Sequence, residues 1–299
     1  MDSLLQTEMP DIKLFARGKV RDVYDLDDRL LIVATDRISA FDYVIPDAIP
    51  GKGKILTTMS LFWFDYVKDV VPNHFISANV DDYPQQLHKY RDQLEGRSML
   101  VVKAERIDIE CVVRGYISGS LWKEYQGELK KGNSTVLGFT FAKDLEESQK
   151  FEEPIFTPAT KEASGHDINI AFEEMAQIVG IELAAKLRLV SKQIYTKAAN
   201  YCETRGIILA DTKFEFGMHN GKLILIDEIL SPDSSRFWPK DKYKIGRGQE
   251  SFDKQFVRDY LTSCGWDKNS PPPHLPQDII DGTRKKYEEV QNLLMAKRS

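Results

Sequence analysis

Ile207-Ile208-Leu209-Ala210-Asp211-Thr212-Lys213-Phe214-Glu215-Phe216 is followed, across Gly217-Met218-His219-Asn220-Gly221, by Leu223-Ile224-Leu225-Ile226-Asp227-Glu228. These stretches read as two strands joined at an Asn-Gly turn. Side chains alternate across a strand, so Asp211, Lys213 and Glu215 share one face while Phe214 and Phe216 share the other. A three-residue loop, His219-Asn220-Gly221 with Gly221 left-handed, sets Phe214 opposite Ile226 and Phe216 opposite Ile224. Glu215 and Asp227 then point to the same side. A two-residue Asn220-Gly221 loop would instead put Asp227 opposite Phe214, so the longer loop is expected. The resulting face holds carboxylates around a lysine, an oxygen-rich arrangement suited to Mg²⁺ against nucleotide phosphates. An exposed strand face with ordinary ion pairs is the plainer reading. It is weakened by what comes next: Ser231-Pro232-Asp233-Ser234-Ser235-Arg236-Phe237-Trp238, a polar loop ending in an arginine beside two aromatics.

Composition narrows the function classes. A chain of 299 residues with 42% hydrophobic and 29% charged residues is long enough for one large or two moderate globular domains. No apolar run approaches the roughly 20 residues that cross a bilayer, and the first residues lack the pattern of a secretory signal. Cys111, Cys202 and Cys264 are odd in number and far apart, so neither a disulfide framework nor a zinc site is indicated. A cytoplasmic location is expected. The net charge of −5 argues against nucleic-acid binding but not against anionic small molecules met by local basic groups.

Those basic groups are local. Lys13 to Thr35 reads as three strands, with turns at Gly18-Lys19 and Asp27-Asp28. Gly18 lets the backbone approach phosphate while Lys19 and Arg21 supply charge, although the spacing is not that of a Walker loop. Thr35-Asp36-Arg37-Ile38-Ser39-Ala40-Phe41-Asp42 follows a buried-looking strand, where loops often carry function. Pro50-Gly51-Lys52-Gly53-Lys54 leads into a helix from Ile55 to Val71, whose aromatics Phe62, Trp63, Phe64 and Tyr66 read as core. Met99 to Arg106 is a strand leaving the first part of the chain, where backbone could pair with a nucleotide base. Glu110, Val112 and Arg114 share one side of a further strand, and Arg114 either pairs with Glu110 or binds a ligand. Ser118-Gly119-Ser120 starts a helix whose amino terminus would attract phosphate. Helical periodicity from Ile168 to Glu203 is interrupted at Gly180. An amphipathic helix covers Ser251 to Ser263, and a charged terminal helix runs from Gln277 to Lys297.

Taken in order, these segments resemble the SAICAR synthetase family, of the monofunctional type found in fungi. The likeness is carried by Gly18-Lys19-Val20-Arg21-Asp22-Val23-Tyr24, Thr35 to Asp42, Ile49-Pro50-Gly51-Lys52-Gly53 and Glu110 to Tyr116. It continues through Ser118-Gly119-Ser120, Thr160-Lys161 to His166-Asp167, Asp211 to Gly217, and Asp227-Glu228 through Arg236. The resemblance implies an α+β, two-domain fold related to the nucleotide-binding cores of ATP-grasp enzymes and kinases. Residues 1–102 would form a smaller, mostly antiparallel β domain and residues 103–299 a larger α+β domain. The implied reaction is ATP-dependent ligation of carboxyaminoimidazole ribonucleotide (CAIR) to L-aspartate through an acyl phosphate, giving SAICAR, ADP and phosphate in purine synthesis. A small-molecule kinase using the same ATP site is the alternative.

By that resemblance Glu215 and Asp227 would hold Mg²⁺, Lys213 would steady the transferring phosphoryl group, and Asp211 would set the polar network. Gly18, Lys19, Val20 and Arg21 would cover the ATP phosphates, with Lys103, Ala104, Glu105 and Arg106 at the adenine. Arg114, Ser120, Arg236, Lys254 and Arg258 would grip the ribonucleotide phosphate, and Asp36, Ser39 and Asp42 its imidazole and ribose. Lys161, His166 and Asp167 would lie at the aspartate substrate. The expected partners are these small molecules, with no nucleic acid or membrane; a monomer is expected, with a homodimer as the alternative.

Overall fold

The computed structural model describes residues 3–161 and 167–296. Short apolar runs broken by turn residues make an antiparallel meander of β1 (Leu14–Arg17), β2 (Arg21–Leu26) and β3 (Arg29–Ala34). β4 (Arg37–Ala40) and β5 (Tyr43–Ala48) form a separate hairpin, its turn holding Phe41 and Asp42 at φ 51° and 66°. α1 (Lys52–Val67) starts earlier than the apolar spacing suggested, and Lys52 and Gly53 are buried in its first turn. Only glycine fits there, because a Cβ on Gly53 would stand 2.2 Å from the Ala34 carbonyl oxygen. β6 (Phe75–Ser77), the short α2 (Arg91–Leu94) and β7 (Ser98–Val102) complete this part. The first sheet runs β1-β2-β3-β7-β6.

The second sheet is larger. Its strands are β8 (Glu105–Arg106), β9 (Ile109–Tyr116), β12 (Lys150–Phe156), β13 (Ala159–Thr160), β14 (Ile168–Asn169), β15 (Ile207–His219), β16 (Lys222–Ile226) and β17 (Ser235–Pro239). A small hairpin of β10 (Thr135–Val136) and β11 (Phe139–Thr140) follows α3 (Gly119–Lys130). The long helical region divides at Gly180, φ 85°, into α4 (Phe172–Val179) and α5 (Ile181–Glu203). Ile168 and Asn169 belong to a strand pair, not to that helix. α6 (Gln255–Ser263) and α7 (Gln277–Met295) close the chain.

One side of the second sheet is core. Phe214 and Phe216 are fully buried and join the apolar cluster that holds Leu187 and Ile194 of α5, Trp63 and Phe64 of α1, and Val290 of α7. Each such burial is worth roughly 1.5–3 kcal/mol. The sheets are tied where Pro72 to His74 pairs along β16: the Leu225 amide donates to the Pro72 carbonyl and the His74 amide to the Leu225 carbonyl. The α+β class expected from the sequence is observed. Among the described residues no helix is long and apolar enough to cross a membrane.

Candidate active site

The hairpin of β15 and β16 closes differently from expectation. Glu215 pairs with Ile226 and His219 with Lys222, leaving a two-residue Asn220-Gly221 loop. Both loop residues have positive φ, 49° and 71°, the geometry that matches strand twist. The three-residue loop is therefore wrong. The carboxylates nevertheless meet, because β16 ends at Ile226 and Asp227 turns out of the strand at φ 65°. Alternation no longer governs its side chain, and Asp227 and Glu215 line one cleft of about 380 Å³.

Gly18, Lys19, Val20 and Arg21 line the same cleft from the β1–β2 turn, as do Ser39, Lys161, Asp167 and Lys213. Arg21 pairs with Asp227, Lys161 with Glu215, and Lys213 lies 2.6 Å from Glu110. Burial opposes the charge on Lys213, yet Glu110 and then Glu215 and Asp227 hold its ammonium above the ordinary lysine value. Arg21 is raised likewise against its burial, by Asp227, Glu228 and Glu215. The neutral form of Glu228 is favoured by burial, with Arg21 opposing.

A second cavity of about 200 Å³ adjoins the first and shares Lys213, Asp233, Ser234 and Lys254 with it. Arg114, Ser120, Arg236 and Arg258 line it. Gly119 begins α3 at φ 61°, where a Cβ would stand 2.4 Å from Arg236 Nη2. Arg114 donates to Ser120 Oγ at 3.2 Å and to Thr157 Oγ1 at 2.9 Å, and it does not pair with Glu110. Burial lowers the Arg114 pKa although Asp211 opposes. Lys254 is also lowered, by burial first and with Lys52 adding to it against Asp233. Buried cations held below their usual basicity favour an anionic ligand.

Several expected residues stand apart from the paired carboxylates. Asp36 is fully buried: it accepts from the Gly53 and Leu4 amides at 2.9 Å and meets Arg97 at 3.1 Å. Its carboxylate is spent on fixing the start of α1 and lines neither cavity. Asp211 faces the second cavity, not the paired carboxylates, and binds Arg236 at 2.6 Å and Ser118 Oγ at 3.1 Å. Asp42 pairs with Lys19 at the rim turn. None of Lys103, Ala104, Glu105 and Arg106 lines either cavity; the Lys103 amide is given to Asp28, and Glu105 and Arg106 pair with β15. His166 lies outside the described residues.

Sequence reading missed Glu110, Asp233 and Ser234. Glu110 was legible in principle: β9 pairs antiparallel with β15, Lys213 sits opposite Val112, and Glu110 is its diagonal neighbour. Asp233 had no such signal, since its partners come from distant helices. A larger groove of about 1140 Å³ lies against α4, α5 and β12, but it is mainly apolar and shares no residue with the charged cavities.

The arrangement joins a cleft with paired carboxylates to a cavity lined by arginines. The chain belongs to the SAICAR synthetase family, whose profile matches residues 14–273. It is 57% identical to the phosphoribosylaminoimidazole-succinocarboxamide synthase of Thermodesulfovibrio yellowstonii, over 97% of this chain and 98% of that protein. Identity to the synthase of the same name from Desulfosudis oleivorans is 58%, over 99% and 100%. The structure of the Saccharomyces cerevisiae SAICAR synthase complexed with SAICAR superposes with a TM-score of 0.90 at 45% identity, covering 99% of each chain. The likeness to the fungal type is thereby borne out.

Proposed function

We propose that the joined cavities ligate CAIR to L-aspartate, with ATP at the carboxylate side and the ribonucleotide phosphate at the arginine side. As a member of this family the chain is an ATP-dependent carbon–nitrogen ligase of purine biosynthesis acting on small molecules. Nothing favours the kinase alternative. The observation that supports the site assignment most is the continuity of the two cavities through Lys213 and Lys254. It would bring a triphosphate tail and a carboxylated ribonucleotide to one meeting point.

The chemistry needs activation of a carboxylate, a poor electrophile because it is charged and has no good leaving group. The γ-phosphoryl group moves to the CAIR carboxylate oxygen, giving ADP and an acyl phosphate. The aspartate nitrogen then attacks that carbonyl carbon, the carbon–oxygen bond to phosphate breaks, and an amide remains. Lys213 would neutralise charge on the transferring group, and Gly18 to Arg21 would cover the triphosphate. Arg114, Ser120, Arg236 and Arg258 would hold the 5′-phosphate, with Ser39 and Lys254 at the imidazole end. Lys161 and Asp167 would orient aspartate. Positioning and charge neutralisation supply the rate, with no covalent protein nucleophile.

Glu215 and Asp227 would hold Mg²⁺. Among the described residues no three metal-ligating side chains converge; an ion on these two carboxylates would complete its shell with substrate phosphates and water. When bound, the ion would neutralise phosphate charge; Arg21 and Lys161 keep the two carboxylates aimed at the cleft. The division into residues 1–102 and 103–299 belongs to the same proposal. It is supported by a first sheet of β1, β2, β3, β6 and β7 and a second of β8, β9 and β12 to β17. We also propose a cytoplasmic monomer.

The test is an assay of ADP and succinocarboxamide formation with ATP, Mg²⁺, CAIR and aspartate omitted in turn. Product should require all four. ADP released in step with a product that lacks aspartate would refute the reading.

A further inference from the structure

The helix beyond the family match reaches the site. α7 follows residue 273, yet its Tyr287 is completely buried and donates to Asp233 Oδ1 at 2.7 Å. Asp233 Oδ2 accepts from Lys52 Nζ at 2.7 Å, so α1 and α7 each take one oxygen of the same carboxylate. Lys52 is itself fully buried, its ammonium 5.9 Å from the Tyr287 ring centroid. Lys254 Nζ stands further off, 3.4 Å from Asp233 Oδ2 and 3.5 Å from Ser39 Oγ. Asp233 and Lys254 both line the two cavities at their junction.

We infer that Tyr287 is a positioning residue: by fixing Asp233 it keeps Lys254 aimed at the bound ribonucleotide. The physical reason is the division of one carboxylate among three donors. With the hydroxyl on Oδ1 and Lys52 on Oδ2, Asp233 is satisfied without drawing Lys254 fully to itself. Removing the hydroxyl leaves Oδ1 a buried acceptor without its donor, a state that costs enough to reorganise its neighbours. The nearest mobile donor is Lys254, and its movement onto Asp233 withdraws a cation from the junction. Phenylalanine at 287 keeps the ring packing and removes only that donor.

This inference rests on the ligase reading of the cleft, and the experiment separates the two. Calorimetric Kd for CAIR alone, and KM for each of the three substrates, are measured for wild type, Tyr287→Phe and Val290→Ala. Val290 is buried on the same helix and reports simple loss of packing. The expected result is a rise of about fivefold or more in the Kd and KM for CAIR with Tyr287→Phe, from loss of one buried hydrogen bond. The KM values for ATP and aspartate should stay put, and Val290→Ala should lower Tm while leaving Kd for CAIR unchanged. An unchanged Kd in Tyr287→Phe overturns the inference, as does an equal shift in Val290→Ala or a Tyr287→Phe chain that cannot fold. Wild-type protein that binds CAIR but makes no amide would sink only the ligase reading.

Discussion

Arg21 and Asp227, 206 positions apart in sequence, form an ion pair across the cleft. One comes from β2 and the other from the turn after β16, so the pair joins the two sheets at the point where the carboxylates gather. Arg21 thereby holds Asp227 in place before any ligand arrives.

Asp227→Asn keeps the shape and removes the charge. Turnover should fall about 10²–10³-fold, the usual scale for losing one oriented electrostatic contact in an active site. The melting curve should remain cooperative. Wild-type kcat in this variant, at saturating Mg²⁺, would refute the assignment of Asp227 to the metal.

Lys213 and Glu110 act as a pair at 2.6 Å. Lys213→Met should lower kcat with a loss of roughly 2–4 kcal/mol in transition-state stabilisation. Glu110→Gln should lose less, because the ammonium remains. A single-turnover assay of ADP formation reads both, and equal loss in the two variants would contradict the ranking.

Gly119→Ala should impair the arginine-lined cavity proposed for the ribonucleotide without touching the cleft proposed for ATP. A left-handed alanine costs about 1–2 kcal/mol, and the new Cβ must push Arg236 away. A raised KM for CAIR with an unchanged KM for ATP is expected. Equal changes in both would place Arg236 in a general structural role.

Lys52→Met leaves the Asp233 charge buried without its closest cation. Breaking a buried pair in this way typically costs about 3–5 kcal/mol, readable as a drop in the urea midpoint. Asp233→Asn added to Lys52→Met should recover part of the loss. A wild-type midpoint for Lys52→Met would show that Lys254 alone can neutralise Asp233.

Acid stability should report Asp22. Burial pushes its carboxyl up, but Arg37 and Thr7 donate to it and the net pKa lies below the ordinary 3.8. A lowered folded pKa means that the unfolded chain binds more protons in this range. The contribution is therefore complete above about pH 3.8 and is lost as pH falls through and below that value. Asp22→Asn should flatten the acid limb of a stability–pH profile; an unaltered slope would exclude this carboxylate as its source.

Much of the architecture was legible because it rests on local periodicity. Alternation placed Phe214 and Phe216 inward and Lys213 and Glu215 outward, and Gly180 marked the break between α4 and α5. The gathering of Gly18 to Arg21 with Glu215 and Asp227 in one cleft was implied by the family resemblance and by no local pattern. The failures share a different cause. Strict alternation delivers Asp227 to the cleft face only with a three-residue loop, but a residue just past a strand end is not bound by alternation. The resemblance put Asp36 near the ribonucleotide; its burial against Arg97 and the first turn of α1 is a contact that no local pattern reveals.

The order of residues by itself determined the strands, the helices, the sign of charge on each face and the family likeness, because those depend on neighbours a few positions apart. Tertiary structure alone decided which charges are spent and which are offered. Asp36 and Asp227 are similar side chains, each just past a strand end, yet one is locked behind α1 while the other lines the cleft. That difference arises from partners supplied by distant segments, and electrostatic interaction depends on separation in space and on burial, neither of which position in the chain reports.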